Sequence, residues 1–268
     1  MTRRDGLRPT PGIHPIDTGT CELVKNPDRA DSWMLLINGV PSSSIDVHDA
    51  ARLDFGYMQW IATLAEARWE SSEPLKMLHL GAGACSLPRY LATRFTNARQ
   101  VAVDIDATLA KLVREWFDLP KAPLLKIRTG DARAVVESLH PSSRDFIVRD
   151  VFAGDTTPYP LTTVEFAEHV RRVLRPGGVY AVNSGSIGDA AAWRHEAATL
   201  SGCFRHVMLT GEAAALRGRR HGNVVIAASD SPLPHDEFTR RIRRNPVPMV
   251  VYAGPEVKAL GARPRRDG

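Results

Sequence analysis

Two glycines and two aspartates stand where this chain could hold a nucleoside. Gly81 and Gly83 lie between an apolar run and a segment of helical periodicity, a context in which a glycine turn lets a ligand approach the backbone. Asp104 ends the next apolar run, in "VAVDID", where a carboxylate can accept hydrogen bonds from ribose hydroxyls. Asp131 ends the third run, in "TGDA", and could accept from an adenine amino group. The residues therefore indicate an adenosine site.

Each of these residues also has a purely structural interpretation. A strand–helix turn with two glycines can serve packing alone, and an aspartate before a helix can be a cap. The ordered set at three successive strand ends favours a ligand, because ligands in open α/β sheets bind at those ends. The turn lacks the third glycine of the dinucleotide pattern, which favours an adenosyl-sulfonium ligand over a pyrophosphate.

The sequence lacks the motifs of phosphate-binding loops, zinc proteases and serine hydrolases. The chain has no G-x-x-x-x-G-K-[ST], H-E-x-x-H or G-x-S-x-G, which excludes the P-loop, the zincin site and the nucleophile elbow. Cys21, Cys85 and Cys203 lie far apart without metal-ligand spacing, so we expect free thiols and no metal.

The elements that must position these residues alternate from residue 75 onward. "KMLHLG", "RQVAVDID", "LLKIRTGDA", "RDFIVRDVF" and "PGGVYAVNSG" are predicted strands, and helical segments separate most of them. "HVMLT" and "NVVIAAS" are predicted as late strands. Such alternation predicts an α/β fold, Rossmann-like, with a mostly parallel sheet and helices on both faces.

Four regions are predicted along the chain. Residues 1–16, rich in Pro, Gly and Arg, are expected to be disordered. Residues 17–70 are expected to form a small β-hairpin and helix unit, since the dipeptide at 38–39 is Asn-Gly, a strong hairpin signal. Residues 71–232 form the predicted adenosyl-binding domain, and residues 233–268 a C-terminal extension with a basic tail.

The composition is that of an ordinary globular protein of 268 residues, with 43% hydrophobic and 24% charged residues. The net charge of +5 raises the possibility of a nucleic-acid partner, but the aromatic fraction of 7% offers no stacking platform among the basic runs, so none is expected. No apolar run is long enough for a membrane span, and the N-terminus has no apolar core of a secretory signal. We therefore expect a cytoplasmic protein without a membrane partner.

Four segments together resemble the class I S-adenosylmethionine-dependent methyltransferase fold: "LHLGAGACSLPRYL", "VAVDID", "TGDA" and "LRPGGVYAVN". Within that fold, the run "DFIVRDVFAGDTTPYPLTTVEFAEHVRRVL" resembles the spermidine synthase-like family. The resemblance implies transfer of an aminopropyl group from decarboxylated S-adenosylmethionine to a small amine such as a polyamine. It also implies a homodimer, since dimers are common in the family.

The resemblance further implies roles for individual residues. Asp150 would be the catalytic carboxylate that positions and deprotonates the attacking amine, with Asp155 as a second carboxylate for a polycationic acceptor. Tyr159 could line the acceptor pocket, although a packing role is equally open. The implied cofactor contacts are Gly81, Ala82, Gly83, Asp104, Ile105, Asp131 and Ala132.

One departure from the family keeps a second function open. The family's G-G-G-D-G turn reads "GAGAC" here, so Ala84 stands where the family has an aspartate that grips the aminopropyl amine. Open N–H groups at that turn would instead attract the carboxylate of S-adenosylmethionine. A methyltransferase of unknown acceptor is therefore the alternative, and a non-catalytic member of the family is the third hypothesis.

Overall fold

A computed structural model describes residues 9–185 and 191–268. Within those ranges there are twelve strands: β1 (Gly12–Ile16), β2 (Gly19–Lys25), β3 (Ser32–Ile37), β4 (Val40–Asp46), β5 (Lys76–Leu80), β6 (Arg99–Asp104), β7 (Leu125–Thr129), β8 (Arg144–Arg149), β9 (Leu174–Ser184), β10 (His206–Glu212), β11 (Val224–Ser229) and β12 (Met249–Ala253).

The helices of the same ranges are α1 (Gly56–Arg68), α2 (Ser86–Arg94), α3 (Ala107–Trp116), α4 (Ala132–Ser138), α5 (Val164–Val173), α6 (Ala192–Cys203), α7 (Ala213–Leu216), α8 (His235–Ile242) and α9 (Pro255–Lys258). A short 3-10 helix, Tyr159–Leu161, precedes α5. None of the described helices is both long and apolar enough to cross a membrane.

The main sheet has eight strands in the order β12-β10-β11-β9-β8-β5-β6-β7. Strands β5 to β9 pair in parallel, and β10, β11 and β12 add an antiparallel edge. The predicted mostly parallel sheet is therefore confirmed. The order runs outward from β5 in one direction and from β8 in the other, so a ligand crevice is expected at the carboxyl ends of these two central strands.

The central strands are buried on both faces, as parallel strands between two helix layers must be. On β8, Ile147 contributes to one apolar cluster, while its neighbours Phe146 and Val148 contribute to the cluster on the opposite face. Helix α5 packs on the first face and α1 on the second. Alternate side chains of one strand thus pack against both helix layers. This packing fixes the carboxyl ends of the strands relative to the helices.

The N-terminal unit is a four-stranded antiparallel sheet in the order β1-β2-β3-β4. The predicted hairpin around residues 38–39 is confirmed as β3 and β4. The prediction of disorder over residues 1–16 is wrong for residues 12–16, because β1 pairs with β2 along its whole length. Residues 1–8 lie outside the described residues. Strand β1 was missed because its proline and glycine obscure the alternation of apolar residues.

Two predicted boundaries of the large domain also need correction. Helix α1, assigned to the N-terminal unit, buries Met58, Ile61 and Leu64 in the apolar cluster of the main sheet. The 233–268 region is not a simple extension, because Phe238 of α8 enters the same cluster and β12 pairs with β10 as the edge strand of the main sheet. The large domain therefore also includes α1, which precedes residues 71–232, and α8 and β12, which follow them.

Candidate active site

A cavity of about 1040 Å³ opens where the five parallel strands end. Its floor is made by the residues at those ends, among them Gly81, Asp104 and Asp150. Its roof comes from the N-terminal sheet, through Asn38 and Ser42. A ligand in this cavity would therefore contact both sheets, and the volume is large enough for a nucleoside together with a second small molecule.

Asp150 lies at the centre of the floor and is held from two sides. The Tyr57 hydroxyl donates to Asp150 Oδ2 at 2.8 Å, and Asn183 Nδ2 donates to Asp150 Oδ1 at 2.9 Å. All three side chains line the cavity. Desolvation raises the pKa of the Asp150 carboxyl above its usual range, and the hydrogen bonds from Asn183 and Tyr57 oppose that rise. A carboxylate in this setting can orient an amine and accept its proton.

Asn183 presents an acceptor that has no partner. Its side-chain nitrogen is used by Asp150, which leaves Asn183 Oδ1 buried without a hydrogen bond within the described part of the chain. The residue is only 2% exposed, and a buried acceptor of this kind is costly unless a donor reaches it. The floor of the cavity therefore suits a ligand that carries N–H groups.

The glycine turn between β5 and α2 has little space for side chains. A Cβ at Gly81, whose φ is +86°, would stand 2.0 Å from the Asp150 carbonyl oxygen. A Cβ at Gly83, with φ +48°, would stand 2.6 Å from Ser43 Oγ. Both glycines are required because the turn is pressed between β8 and the N-terminal sheet. The packing alternative is thus met at this turn, and ligand approach to its backbone stays a prediction.

The N–H groups of the turn are already engaged. Asp104 Oδ2 accepts from the amides of Ala82 and Gly83 at 3.0 and 3.2 Å. Ser43 Oγ accepts from the amide of Ala84 at 3.0 Å, and Ala84 itself is 1% exposed within the cluster below the N-terminal sheet. The turn therefore presents the Asp104 carboxylate to the cavity rather than a row of open amides.

Asp104 remains available to a ligand at the edge of the cavity. Desolvation raises the pKa of its carboxyl, while backbone N–H donors, among them those of Asp106 and Ala82, lower it. Beside it, Ile105 is 62% exposed and lines the cavity, which places an apolar surface next to a carboxylate. This pairing suits a ribose beside a planar base.

Other predicted cofactor residues are brought to the same end of the cavity. Asp131 and Ala132 line it, and Asp131 also caps α4 by accepting from the Ala134 amide at 2.8 Å. The ligand and capping interpretations of Asp131 therefore coexist, since its second oxygen is not used by that cap. Ala82 differs: its side chain is buried, and only its amide takes part in the turn.

Asp155 lies in the loop that follows β8. This loop is closed by a bridge between Ala153 and Thr156, and both Ala153 and Asp155 line the cavity. The structure therefore brings Asp150 and Asp155 to one cavity, as the sequence prediction requires.

Tyr159, like Ala82, is a predicted site residue that lies outside the described lining of the cavity. It is 53% exposed and is not part of the described lining of the cavity, which includes its neighbours Pro158 and Pro160. Its hydroxyl donates to the carbonyl of Arg266 at 2.9 Å, and Arg265 stands over its ring. The prediction of an acceptor contact at Tyr159 is corrected to a contact with the C-terminal segment.

Sequence reasoning missed Tyr57, since no local pattern marks a tyrosine in the first turn of a helix as the partner of an aspartate ninety-three positions later. Asn183, one residue before the end of β9, is a cleft candidate on the same strand-end argument that selects Asp104, and the structure bonds it to Asp150. Ser43 was also missed, as its contact with the turn depends on how the two sheets pack.

The fold and the site define the class of protein. Residues 78–182 match a family described as a methyltransferase domain. The crystal structure of spermidine synthase from Thermotoga maritima superimposes with a TM-score of 0.64 at 16% identity, covering 94% of this chain and 84% of that one. This is a class I methyltransferase fold, with a cavity at the carboxyl ends of β5 and β8.

A more similar protein narrows the class to a family. A crystal structure described as a probable spermidine synthase from Corynebacterium glutamicum superimposes with a TM-score of 0.90, at 41% identity over 97% of both chains. A polyamine aminopropyltransferase of Vibrio vulnificus is 28% identical over 62% of this chain, and the alignment spans 54% of that relative. The chain belongs to the spermidine synthase-like family.

Proposed function

We propose that this protein is an aminopropyltransferase that uses decarboxylated S-adenosylmethionine and a small amine acceptor. The observation that carries the proposal is the Asp150 carboxylate, held by Tyr57 and Asn183 on the floor of the cavity. Membership of the spermidine synthase-like family supports the same reaction.

The adenosyl end of the cosubstrate fits the cavity beside β6. Asp104 offers a carboxylate for ribose hydroxyls, Ile105 an apolar surface for adenine, and Asp131 an acceptor for the adenine amino group. When bound, the cosubstrate supplies a sulfonium: its C–S bond breaks as the amine nitrogen forms a C–N bond, and the bonding pair stays on sulfur.

The acceptor amine fits the centre of the floor. Asp150 accepts a hydrogen bond from the amine and takes the proton that leaves the nitrogen as the new bond forms. Asn183 Oδ1, which has no hydrogen-bond partner among the described residues, offers a second acceptor for the same group. Asp155 adds a carboxylate within the cavity for a second cationic end of a diamine. The chain thus holds the nitrogen in place and removes its proton.

The engaged glycine turn supports the decarboxylated cosubstrate. A methionine carboxylate at this turn would meet the Asp104 carboxylate, and it would have to compete with Asp104 and Ser43 for the amides. Like charges at short range disfavour that arrangement. An aminopropyl ammonium in the same place would be attracted instead, so Asp104 can compensate in part for the absence of an acid at Ala84.

One observation favours the alternative of methyl transfer. Ala84 gives the turn no acidic side chain, and the methyltransferase-domain match covers the turn and the following strands. Methyl transfer to an amine would use the same Asp150 as proton acceptor. The two functions differ in the form of the cosubstrate that binds, which makes affinity the discriminating quantity.

Calorimetric titration with S-adenosylmethionine and with its decarboxylated form distinguishes the two functions. We expect the decarboxylated form to bind at least about tenfold more tightly, a difference of about 1.4 kcal/mol. The reverse preference would assign the protein to methyl transfer, and binding of neither form would remove the basis of both functions.

The catalytic assignment has its own test. Asp150→Asn should bind the decarboxylated cosubstrate as the wild type does, while turnover with a diamine should fall by about a hundredfold or more, the usual contribution of a general base. Asp236→Asn, which changes a fully exposed carboxylate in the first turn of α8, is the matched control. Wild-type turnover in Asp150→Asn would rule out Asp150 as the base.

A further inference from the structure

The C-terminal residues 263–267 run across the wall of the cavity, and we call this segment the C-terminal strap. The carbonyl of Arg265 accepts from the Val164 amide at 2.9 Å, and the Arg265 amide donates to Thr199 Oγ1 at 2.9 Å. The carbonyl of Arg263 contacts His195 Nδ1 at 2.9 Å. The strap is therefore bonded to the start of α5 and along α6.

The strap also holds the segment that follows the Asp155 loop. Tyr159 donates to the carbonyl of Arg266, and the Arg265 guanidinium donates to Thr162 Oγ1 at 3.3 Å. The Asp267 amide donates to Glu165 Oε2 at 2.9 Å. Between these contacts lie Pro160 and Leu161, which line the cavity. One wall of the cavity is thus fixed from behind by the strap.

At its end the strap reaches the cavity rim through an ion pair. Arg133, the one arginine in the described lining, donates through Nη1 to Asp267 Oδ1 at 2.9 Å. Arg133 also donates to the Pro160 carbonyl at 3.1 Å and through Nε to Glu137 at 2.9 Å. The hydrogen bond from Arg133 lowers the pKa of the Asp267 carboxyl to about 2, so this carboxyl is ionised at neutral pH.

The charge on Arg133 matters because the proposed substrates are cations. A free guanidinium at the rim would repel a diamine and a sulfonium, and it could turn toward Asp131 or Asp155 and occupy a carboxylate that the substrates need. Asp267 and Glu137 together neutralise that guanidinium, and Asp267 with the Pro160 carbonyl holds its Nη1 away from the floor.

We propose that the C-terminal strap is a positioning element of the acceptor pocket, in which Asp267 restrains and neutralises Arg133 while residues 263–266 fix the wall at Pro160 and Leu161. The proposal rests on the proposed function for the identity of the cationic acceptor. It assigns to Asp267, Arg133 and Tyr159 a role in substrate affinity without direct chemistry on the substrate.

The first test compares Asp267→Asn with the wild type in a steady-state assay with a diamine. We expect KM for the diamine to rise about two- to fivefold, the range of a partly exposed ion pair, with kcat unchanged. The rise should be larger at low ionic strength, because salt screens the repulsion. Asp267→Glu should recover most of the affinity, and Asp236→Asn should match the wild type.

A double-mutant cycle shows whether Asp267 acts through Arg133. In an Arg133→Gln background there is no cation to neutralise, so Asp267→Asn should then leave KM unchanged. An equal rise of KM in both backgrounds, or no rise in the single variant, would overturn the proposal. A loss of thermal stability alone would not reproduce this pattern.

Hydrogen–deuterium exchange tests the strap without any turnover. Peptides that cover residues 158–165 should exchange faster in Asp267→Asn than in the wild type or in Asp236→Asn. Equal exchange in all three proteins would contradict the proposal that the C-terminal strap fixes this wall of the cavity. If the wild type turns over no amine but exchange still differs, the proposed function is wrong. The inference that the C-terminal strap fixes the cavity wall is then still supported.

Discussion

At the scale of single residues, the site depends on how Asp150 is charged. Desolvation raises the pKa of its carboxyl, and the hydrogen bonds from Asn183 and Tyr57 make that rise smaller. The same environment raises the pKa of the Tyr57 hydroxyl well above its ordinary value, so Tyr57 remains a donor at neutral pH. The pair therefore maintains a carboxylate that is a stronger base than an exposed aspartate.

This balance predicts the pH dependence of Tyr57→Phe. The proposed reaction needs the ionised Asp150, so we expect activity to be lost as pH falls through the raised pKa of this carboxyl. Without the Tyr57 hydroxyl, one interaction that favours the ionised form is removed, and the acid limb of kcat/KM should move to higher pH. A pH profile of kcat/KM for the two proteins measures the shift.

Tyr90→Phe is the matched control for that profile. Tyr90 also donates to a carboxylate, that of Glu66, but this pair lies on α1 and α2 outside the cavity. Its profile should coincide with that of the wild type. An acid limb that stays in place, or moves to lower pH, in Tyr57→Phe would contradict the assigned role of Tyr57.

At the scale of elements, one buried ion pair sets the position of the site. Arg149, 1% exposed at the end of β8, donates to Glu196 of α6 at 2.6 Å and to the backbone carbonyls of Leu161 and Asn183. Glu196 also accepts from Ser184 of β9 at 3.0 Å. Because Arg149 directly precedes Asp150, this network connects the end of β8 to helix α6.

Glu196→Gln should therefore destabilise the whole domain. The substitution leaves the Arg149 cation buried without its counter-charge, which costs about 3 kcal/mol of the free energy of unfolding. Urea denaturation followed by circular dichroism measures the loss. Glu237→Gln removes a carboxylate from exposed ion pairs on α8 and should change the unfolding midpoint little. Equal midpoints in the two variants would contradict the importance of the buried pair.

The elements also show what sequence patterns can and cannot predict. Strands β5, β6 and β8 were predictable, because each is an apolar run followed by a turn or an aspartate. The Asp104 and Asp150 positions follow from those strand ends. Contacts across the fold were not predictable: Tyr57 reaches Asp150 from α1, and Ser43 reaches the glycine turn from the other sheet. No local periodicity encodes such pairs.

At the scale of the whole molecule, the cavity exists only because two sheets are docked together. The N-terminal sheet supplies the roof, and its docking contacts lie partly in the cavity lining, as at Thr18 and Asp106, and partly outside it. Asp17 accepts from the amides of Ala107 and Thr108 at the start of α3, and Thr18 donates to Asp106. Ser86 donates to the carbonyl of Ser44 at 2.7 Å. The position of the roof is therefore set by these polar contacts together with an apolar cluster in which Leu23 and Leu35 are grouped with Leu109.

Arg89 makes two further docking contacts between the main domain and the N-terminal sheet. Its guanidinium donates to the carbonyls of Asp46 and Val47 at 2.6 and 3.1 Å, and the residue is only 8% exposed. Arg89→Met keeps the length of the side chain but removes both donors, which costs about 2 kcal/mol of docking free energy for bonds that involve a charged group. The roof residues Asn38 and Ser42 would then be less firmly placed over the cavity.

Arg89→Met should thus weaken cosubstrate binding by about tenfold or more, since binding must first restore the docked arrangement of the two sheets. Calorimetric titration with the decarboxylated cosubstrate measures this loss, and circular dichroism should show that the main sheet remains folded. Arg99→Met, at an exposed position of β6, is the matched control and should bind as the wild type does. If Arg89→Met retained full affinity, the N-terminal sheet would not be needed to form the site, and the cosubstrate would have to be held by the strand ends alone.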